Sequence, residues 1–294
     1  GDADGAGVEG TTTIGNAATS DLNFNSTIYS FDGATTITAA AGDNIDVTAG
    51  ATSFITAADN ISFATGNIAL SNGVNLTIDT GATGGNITVG GEIAGTSVET
   101  VTIDAGTGTT SVGVIGNSTE IGALTIGSAE NGAITLNGAI VTDGVVTIDG
   151  PVTLATTAVS VTTADDAITF NHTIDGAQTL TLSSGGGDVT FTGAIGGTTA
   201  LGGLVVNSAG GDGDITFTSN IGDATGDGVE GTTTIGNAAT ADLNFNSTIY
   251  SFDGATTITA AAGDNIDVTA GATSFITAAD NISFATGNIA LSNG

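Results

Sequence analysis

The chain has 294 residues and a formal charge of −30, because its 30 acidic residues face no Lys or Arg. Without those bases it cannot neutralise phosphates, so nucleic-acid binding is not expected, and an anionic membrane surface repels it. It has no Cys for disulfides and no apolar run as long as a membrane-spanning helix, so no membrane insertion is expected.

Such charge often marks disorder, but here 39 % of the residues are hydrophobic, including many β-branched Ile and Val with Thr beside them, and 48 glycines supply turns. In chain order, short alternating segments begin with "TTIG" at 12–15 and "DLNFNSTI" at 21–28. "TTIT" follows at 35–38, then looser versions of the octet around Ile45 and Ile61, then "LTID" at 76–79 and an octet with Ile87 second. "VTID" at 101–104, a loose octet at Val112, "LTIG" at 124–127, "AITLNGAI" at 133–140 and "VTID" at 146–149 continue the series. Beyond the single proline, Pro151, come "AITFNHTI" at 167–174, "LTLS" at 180–183, "DVTFTGAI" at 188–195 and "DITFTSNI" at 214–221. Each segment alternates apolar with polar residues, as a strand with one buried face does, and Gly, Asn, Asp and Ser fill the gaps. No helical period is visible.

Residues 1–73 return as 222–294 with 70 of 73 positions identical; the exceptions are Asp4 against Thr225, Ala6 against Asp227 and Ser20 against Ala241. The expected organisation is therefore one full repeat over 1–221 and the start of the next over 222–294, in a continuous solenoid, as a window on a longer tandem protein. Most octets recur at an interval of about 20–28 residues, the size of one solenoid coil. Two intervals depart from it, a short one from Ile45 to Ile61 and a long one from Ile134 to Ile168, across Pro151. A period of that size with two or three short strands predicts an all-β fold, a parallel β-helix with one coil per about 20–28 residues. In "DITFTSNI", Ile215, Phe217 and Ile221 point inward. On a spacing of about 4.8 Å per coil, one 221-residue repeat spans about 45 Å. The long interval predicts an enlarged coil or protruding loop between Pro151 and Ile168. A string of β-sandwiches is the rival fold, but it does not predict one octet recurring at the length of a coil.

"GNIALSNG", "GNITVGGEI" and "ENGAITLNGAI" resemble the degenerate repeats of filamentous-haemagglutinin-type adhesins and of other giant bacterial β-strand-repeat surface proteins. The resemblance covers most of the chain and is compositional. It implies a right-handed parallel β-helix, an extracellular or cell-surface location and a bacterial source.

Catalytic machinery is not expected. His172 is the only imidazole and falls at a turn, Asp165–Asp166 is the only adjacent acid pair, and no base is present to bind a uronate or stabilise a carbanion. A carbohydrate-active β-helix with paired carboxylates is the remote enzymatic alternative. No metal or cofactor ligand set is expected with certainty. Gly-flanked acids in turns offer weak calcium candidates: Asp2, Asp4, Asp212, Asp214, Asp223 and Asp227. Asn-x-Ser/Thr occurs at Asn25, Asn60, Asn75, Asn86, Asn117, Asn171, Asn246 and Asn281, read first as stacked polar rows and second as glycan acceptors. The expected function is structural, an extracellular filament, sheath or stalk that associates with itself or continues end to end into further repeats. The alternative is a spacer in a large adhesin, whose other partners are glycans or a host surface.

Overall fold

A computed structural model describes residues 7–207, 213–223, 228–278 and 280–291. Those residues contain no helix; the chain is a parallel β-solenoid of about 12 turns. Every pairing described is parallel, which a sandwich cannot provide. The strands are short, from the pair Val8–Glu9 to the longer Ala51–Thr56 and Ala158–Thr163. Two compact units divide at the Asp143–Val152 region, the first holding 1–144 and 148–151, the second 145–147 and 152–294.

In the first unit three walls recur in each coil. The first wall stacks Val8–Glu9, Ile28–Asp32, Ala51–Thr56, Asn75–Asp79, Thr100–Asp104 and Ala123–Gly127. The second stacks Thr12–Gly15, Thr35–Thr38, Ile61–Thr65, Ile87–Val89, Thr110–Val112 and Ile134–Leu136. The third stacks Leu22–Phe24, Asn44–Val47, Asn67–Leu70 and Ile93–Ala94, and single bridges carry it on through Ile115 to Ile140. Like residues meet in register: Leu76, Val101 and Leu124 lie one above another, as do Thr77, Thr102 and Thr125. The first set is buried and the second faces outward, so period-2 patterning settles both faces.

The second unit repeats the arrangement. One wall stacks Ile168–Phe170, Val189–Phe191, Ile215–Phe217, Leu243–Phe245, Asn265–Val268 and Asn288–Leu291. Another stacks Ala158–Thr163, Thr179–Ser183, Gly203–Asn207, Thr233–Ile235, Thr256–Thr259 and Ile282–Thr286. The remaining wall runs from Val152–Leu154 through Ile174, Ile195 and Ile221 to Tyr250, then from Ile249–Ser251 to Ser274–Ile276. Ile215, Phe217 and Ile221 are buried as expected. The octet phenylalanines form a ladder: Phe170, Phe191, Phe217 and Phe245 have successive centroid separations of 5.9, 4.9 and 5.3 Å and lie within 12° of parallel. Offset stacking adds to the burial of each ring.

One expectation is corrected. The stretch from Pro151 to Ile168 is not an enlarged coil: Val152 pairs with Ile174 and Val159 with Leu180, both at the length of an ordinary coil. Longer coils come later in the chain, from Ile215 to Leu243 and from Val205 to Thr234. The short interval from Ile45 to Ile61 has a different origin. Ile45 lies above Leu22 on the third wall, whereas Ile61 lies on the second wall beside Thr35 and Ile87. It measures passage between walls. In the first unit the Thr-Ile motif itself changes wall, from the second at Thr12–Gly15 and Thr35–Thr38 to the first at Asn75–Asp79.

Corners explain some of the glycine. Some corners pair Ile with Gly, as at Ile115–Gly116 and Ile195–Gly196, and both glycines have positive φ, 68° and 64°. A Cβ there would strike the carbonyl of Val141 or Gly228 in the next coil, so only glycine lets the coils close.

Candidate functional site

The polar groups of the turns are organised coil to coil. A side-chain oxygen at one corner accepts the backbone N–H of the residue one coil further on. Asp188 Oδ1 accepts from Asp214 N at 2.9 Å, Asp214 Oδ1 from Asp242 N at 3.0 Å, and Asp242 Oδ1 from Asn265 N at 2.8 Å. In the first unit Asp21 Oδ1 accepts from Asn44 N at 2.9 Å, and Asn60 and Asn86 pass the same bond upward to Asn86 N and Thr109 N. Each such acceptor satisfies a donor that a sharp corner would otherwise strand.

The carboxylate column carries an electrostatic cost. Burial pushes the Asp214 carboxyl above the usual aspartate value; the bond from Asp242 N opposes this, and the charges of Asp188, Asp242 and Asp264 add to it. Burial, then the charge of Asp21, likewise raises Asp46. No Lys or Arg can relieve either group.

Glu99 went unnoticed in the sequence. It is fully buried. Its Oε1 accepts from Gly73 N at 3.1 Å and from Thr96 Oγ1, and its Oε2 from Thr96 N and Val98 N. Burial pushes its carboxyl up, but these hydrogen bonds outweigh burial and hold it below the usual glutamate value. The bond to Gly73 ties one coil to the next across the Ser71–Gly73 turn. The only signal was "SVET", an acid beside an apolar strand start.

Threonines at strand ends were also missed. Thr56, Thr80, Thr163 and Ser184 are buried and turn their hydroxyls to the carbonyls of Asp59, Gly85, Asp166 and Gly187. They close the strand-to-turn corner from inside. Tyr250 does so at an aromatic corner: its hydroxyl accepts from Ser247 N at 2.8 Å, and burial pushes its pKa up to about 12.

The residues singled out beforehand are dispersed among these columns. His172 is half-buried in the turn between Ile168–Phe170 and Ile174–Asp175, and its backbone leaves room only for glycine at position 193 of the next coil. Asp165 is exposed and accepts from Gly186 N at 2.9 Å, while Asp166 contributes its backbone carbonyl to Thr163. Of the calcium candidates, Asp214 stands in the aspartate column and Asp223 is half-buried near a corner; Asp2, Asp4, Asp212 and Asp227 lie outside the described residues. Among the described residues, no three His, Cys, Asp or Glu come together as a metal site. Several Asn-x-Ser/Thr asparagines are ladder members: Asn25, Asn75 and Asn246 accept the hydroxyls of Thr48, Thr100 and Thr269 at 2.5, 2.8 and 2.7 Å.

No family model matches the chain, and no curated protein or solved structure matches it. The chemistry of the columns is cohesive: they hold coil to coil.

Proposed function

We propose that the chain is a structural segment of an extracellular filament, sheath or stalk, built by covalent continuation of near-identical solenoid repeats. The supporting observation is that both copies of the repeated sequence stack alike. Leu22, Ile45 and Ile68 pair in series in the first unit, and Leu243, Ile266 and Ile289 pair in the same series in the second. Thr35 pairs with Ile61 as Thr256 pairs with Ile282, down to the same irregularity just after Ile37 and Ile258. A repeat that keeps its internal register adds length and core without changing the design. The surface location rests on the resemblance to bacterial surface repeats, and a stalk outside the cell benefits from offering no Lys or Arg to trypsin-like proteases.

The test is electron microscopy of tandem proteins of increasing repeat number. The expected particles are straight, unbranched rods that lengthen by an equal increment per repeat. Compact particles, or flexible strings of beads, would overturn the structural reading.

A further inference from the structure

The chain contains four Asn-Gly pairs, at 72–73, 131–132, 137–138 and 293–294, and the first three lie within the described residues. In such a pair the backbone nitrogen can attack the preceding side chain, because glycine has no Cβ to block the approach and adapts its backbone at little cost. Two of the pairs sit in the same four residues, Asn131–Gly132–Ala133–Ile134 and Asn137–Gly138–Ala139–Ile140. Local sequence therefore hardly distinguishes them, but the fold does.

Asn137 is half-buried and pinned to the preceding coil. Its Nδ2 donates to Ser111 Oγ at 3.0 Å and to the Val112 carbonyl at 3.2 Å, and its backbone N donates to the same carbonyl at 2.9 Å. Asn72 is exposed but held by the following coil. Its Nδ2 donates to Thr96 Oγ1 at 3.3 Å, and Gly73 N, the nitrogen that would attack, donates to Glu99 Oε1 at 3.1 Å. Asn131 is exposed, and among the described residues its side chain makes no hydrogen bond. It ends a turn that its backbone N closes on the Ser128 carbonyl at 3.0 Å. Its φ is 60°, a left-handed conformation that strains a residue with a Cβ, and neither Asn72 nor Asn137 shares it. Gly132 is buried, and a Cβ there would fall 2.3 Å from the Gly108 carbonyl oxygen. The nitrogen is thus packed in place, and the unheld Asn131 side chain is the part free to swing onto it.

We propose that Asn131 is a self-modification site, at which the folded chain loses a side-chain amide. Gly132 N bonds to Asn131 Cγ and gives its proton to hydroxide. The Cγ–Nδ2 bond breaks, and Nδ2 takes a proton from water and leaves as ammonia. Water then opens the five-membered imide at either carbonyl, giving aspartate or an isoaspartate whose main chain runs through Cγ. Either product adds one negative charge next in the chain to Glu130, whose carboxylate already shares the Ser128 hydroxyl with Asp104 at 2.6 and 2.7 Å. The isoaspartate also lengthens the main chain at the turn by one carbon. This chemistry does not depend on the stalk reading.

The test follows the folded protein in mildly alkaline buffer, with samples digested by pepsin in acid, since the chain has no Lys or Arg for trypsin. Tandem mass spectrometry reads the amide-to-acid mass gain at each asparagine. Asn131 is expected to convert at least about tenfold faster than Asn137 or Asn72, a barrier difference of about 1.4 kcal/mol. In concentrated urea the rates at Asn131 and Asn137 should converge, because the bonds that hold Asn137 are gone. Asn131→Gln, which would have to form a larger ring, should abolish the fast conversion and leave the two slow ones unchanged. Equal rates in the folded protein, or faster loss at Asn137, would overturn the proposal. So would a gap that survives in urea, since it would then belong to the local sequence and not to the fold.

Discussion

Single side chains divide into those that hold coils together and those that the fold leaves unsatisfied. Among the described residues, four buried hydroxyls, Thr12 Oγ1, Ser30 Oγ, Thr233 Oγ1 and Ser251 Oγ, have no hydrogen-bond partner, and they form two counterpart pairs across the repeat. The cost is thus a property of the repeated sequence. Replacing an orphan buried hydroxyl by an apolar group removes a desolvation penalty of about 1–3 kcal/mol. Thr233→Val with Ser251→Ala is therefore expected to raise the melting temperature, and a lower one in calorimetry would refute the assignment. The two kinds of carboxylate respond oppositely to pH. Asp214 has a raised folded-state pKa, so its favourable contribution is present below the unfolded value of 3.8 and is lost as pH rises through the folded value. Asp214→Asn keeps an oxygen for Asp242 N and discards the charge. It should stabilise the protein at neutral pH, with the gain shrinking as pH falls toward the unfolded value. Glu99 has a lowered folded-state pKa, so its contribution is present above the unfolded value of 4.5 and is lost as pH falls through the folded value. Glu99→Gln turns an NH2 toward backbone donors. It should cost about 2 kcal/mol at neutral pH, with the difference from the parent narrowing in acid. Melting curves of both variants from acid to neutral pH separate the two signs.

At the scale of strands, the ladder of Phe170, Phe191, Phe217 and Phe245 concentrates core volume on one wall of the second unit. Phe217 sits inside that ladder and is buried, so Phe217→Ala should cost about 3–5 kcal/mol. Thr216→Ala, on the outward face of the same strand, should stay within about 0.5 kcal/mol. Chemical denaturation of the two variants measures the contrast, and equal losses would contradict the inward–outward assignment. This alternation was fully legible in "DITFTSNI", because a strand buried on one face admits only one phase of the pattern. What could not be read was the wall. A parallel stack asks each strand for inward aliphatics and tolerates almost any outward residue, so "NIDV" around Ile45 and "NISF" around Ile61 look alike while lying on different walls. The apparent excess at Pro151 has the same origin: Ile134 and Ile168 lie on different walls, and Val152 and Ala158 begin ordinary strands between them. Glu99 and the strand-end threonines stayed hidden because a buried polar group is recognised by its partners, which arrive from a neighbouring turn or coil.

At the scale of the whole chain, the question is how a chain with 30 like charges stays folded. Hydrogen bonds from backbone N–H groups to the column carboxylates localise the charge but do not cancel it, and the chain has no Lys or Arg to stand nearby. Repulsion between adjacent coils should therefore be a large salt-dependent term, opposed by the aliphatic and aromatic core of each unit. The Debye length shrinks from about 30 Å at about 0.01 M to about 10 Å at about 0.1 M. Over that range, screening first removes repulsion between distant coils and then between near ones. The melting temperature is expected to climb steeply with sodium chloride between those concentrations and to flatten above them. Diffuse screening depends on ionic strength alone, whereas built calcium sites would respond to the identity of the ion. At matched ionic strength, calcium and magnesium should thus raise the melting temperature equally, and a chelator should leave it unchanged. A calcium-specific rise of several degrees would contradict diffuse screening and point to the Gly-flanked aspartates. The mutation Asp214→Asn separates local from global repulsion further: its stabilising effect should be largest at the lowest salt and fade on addition of either salt.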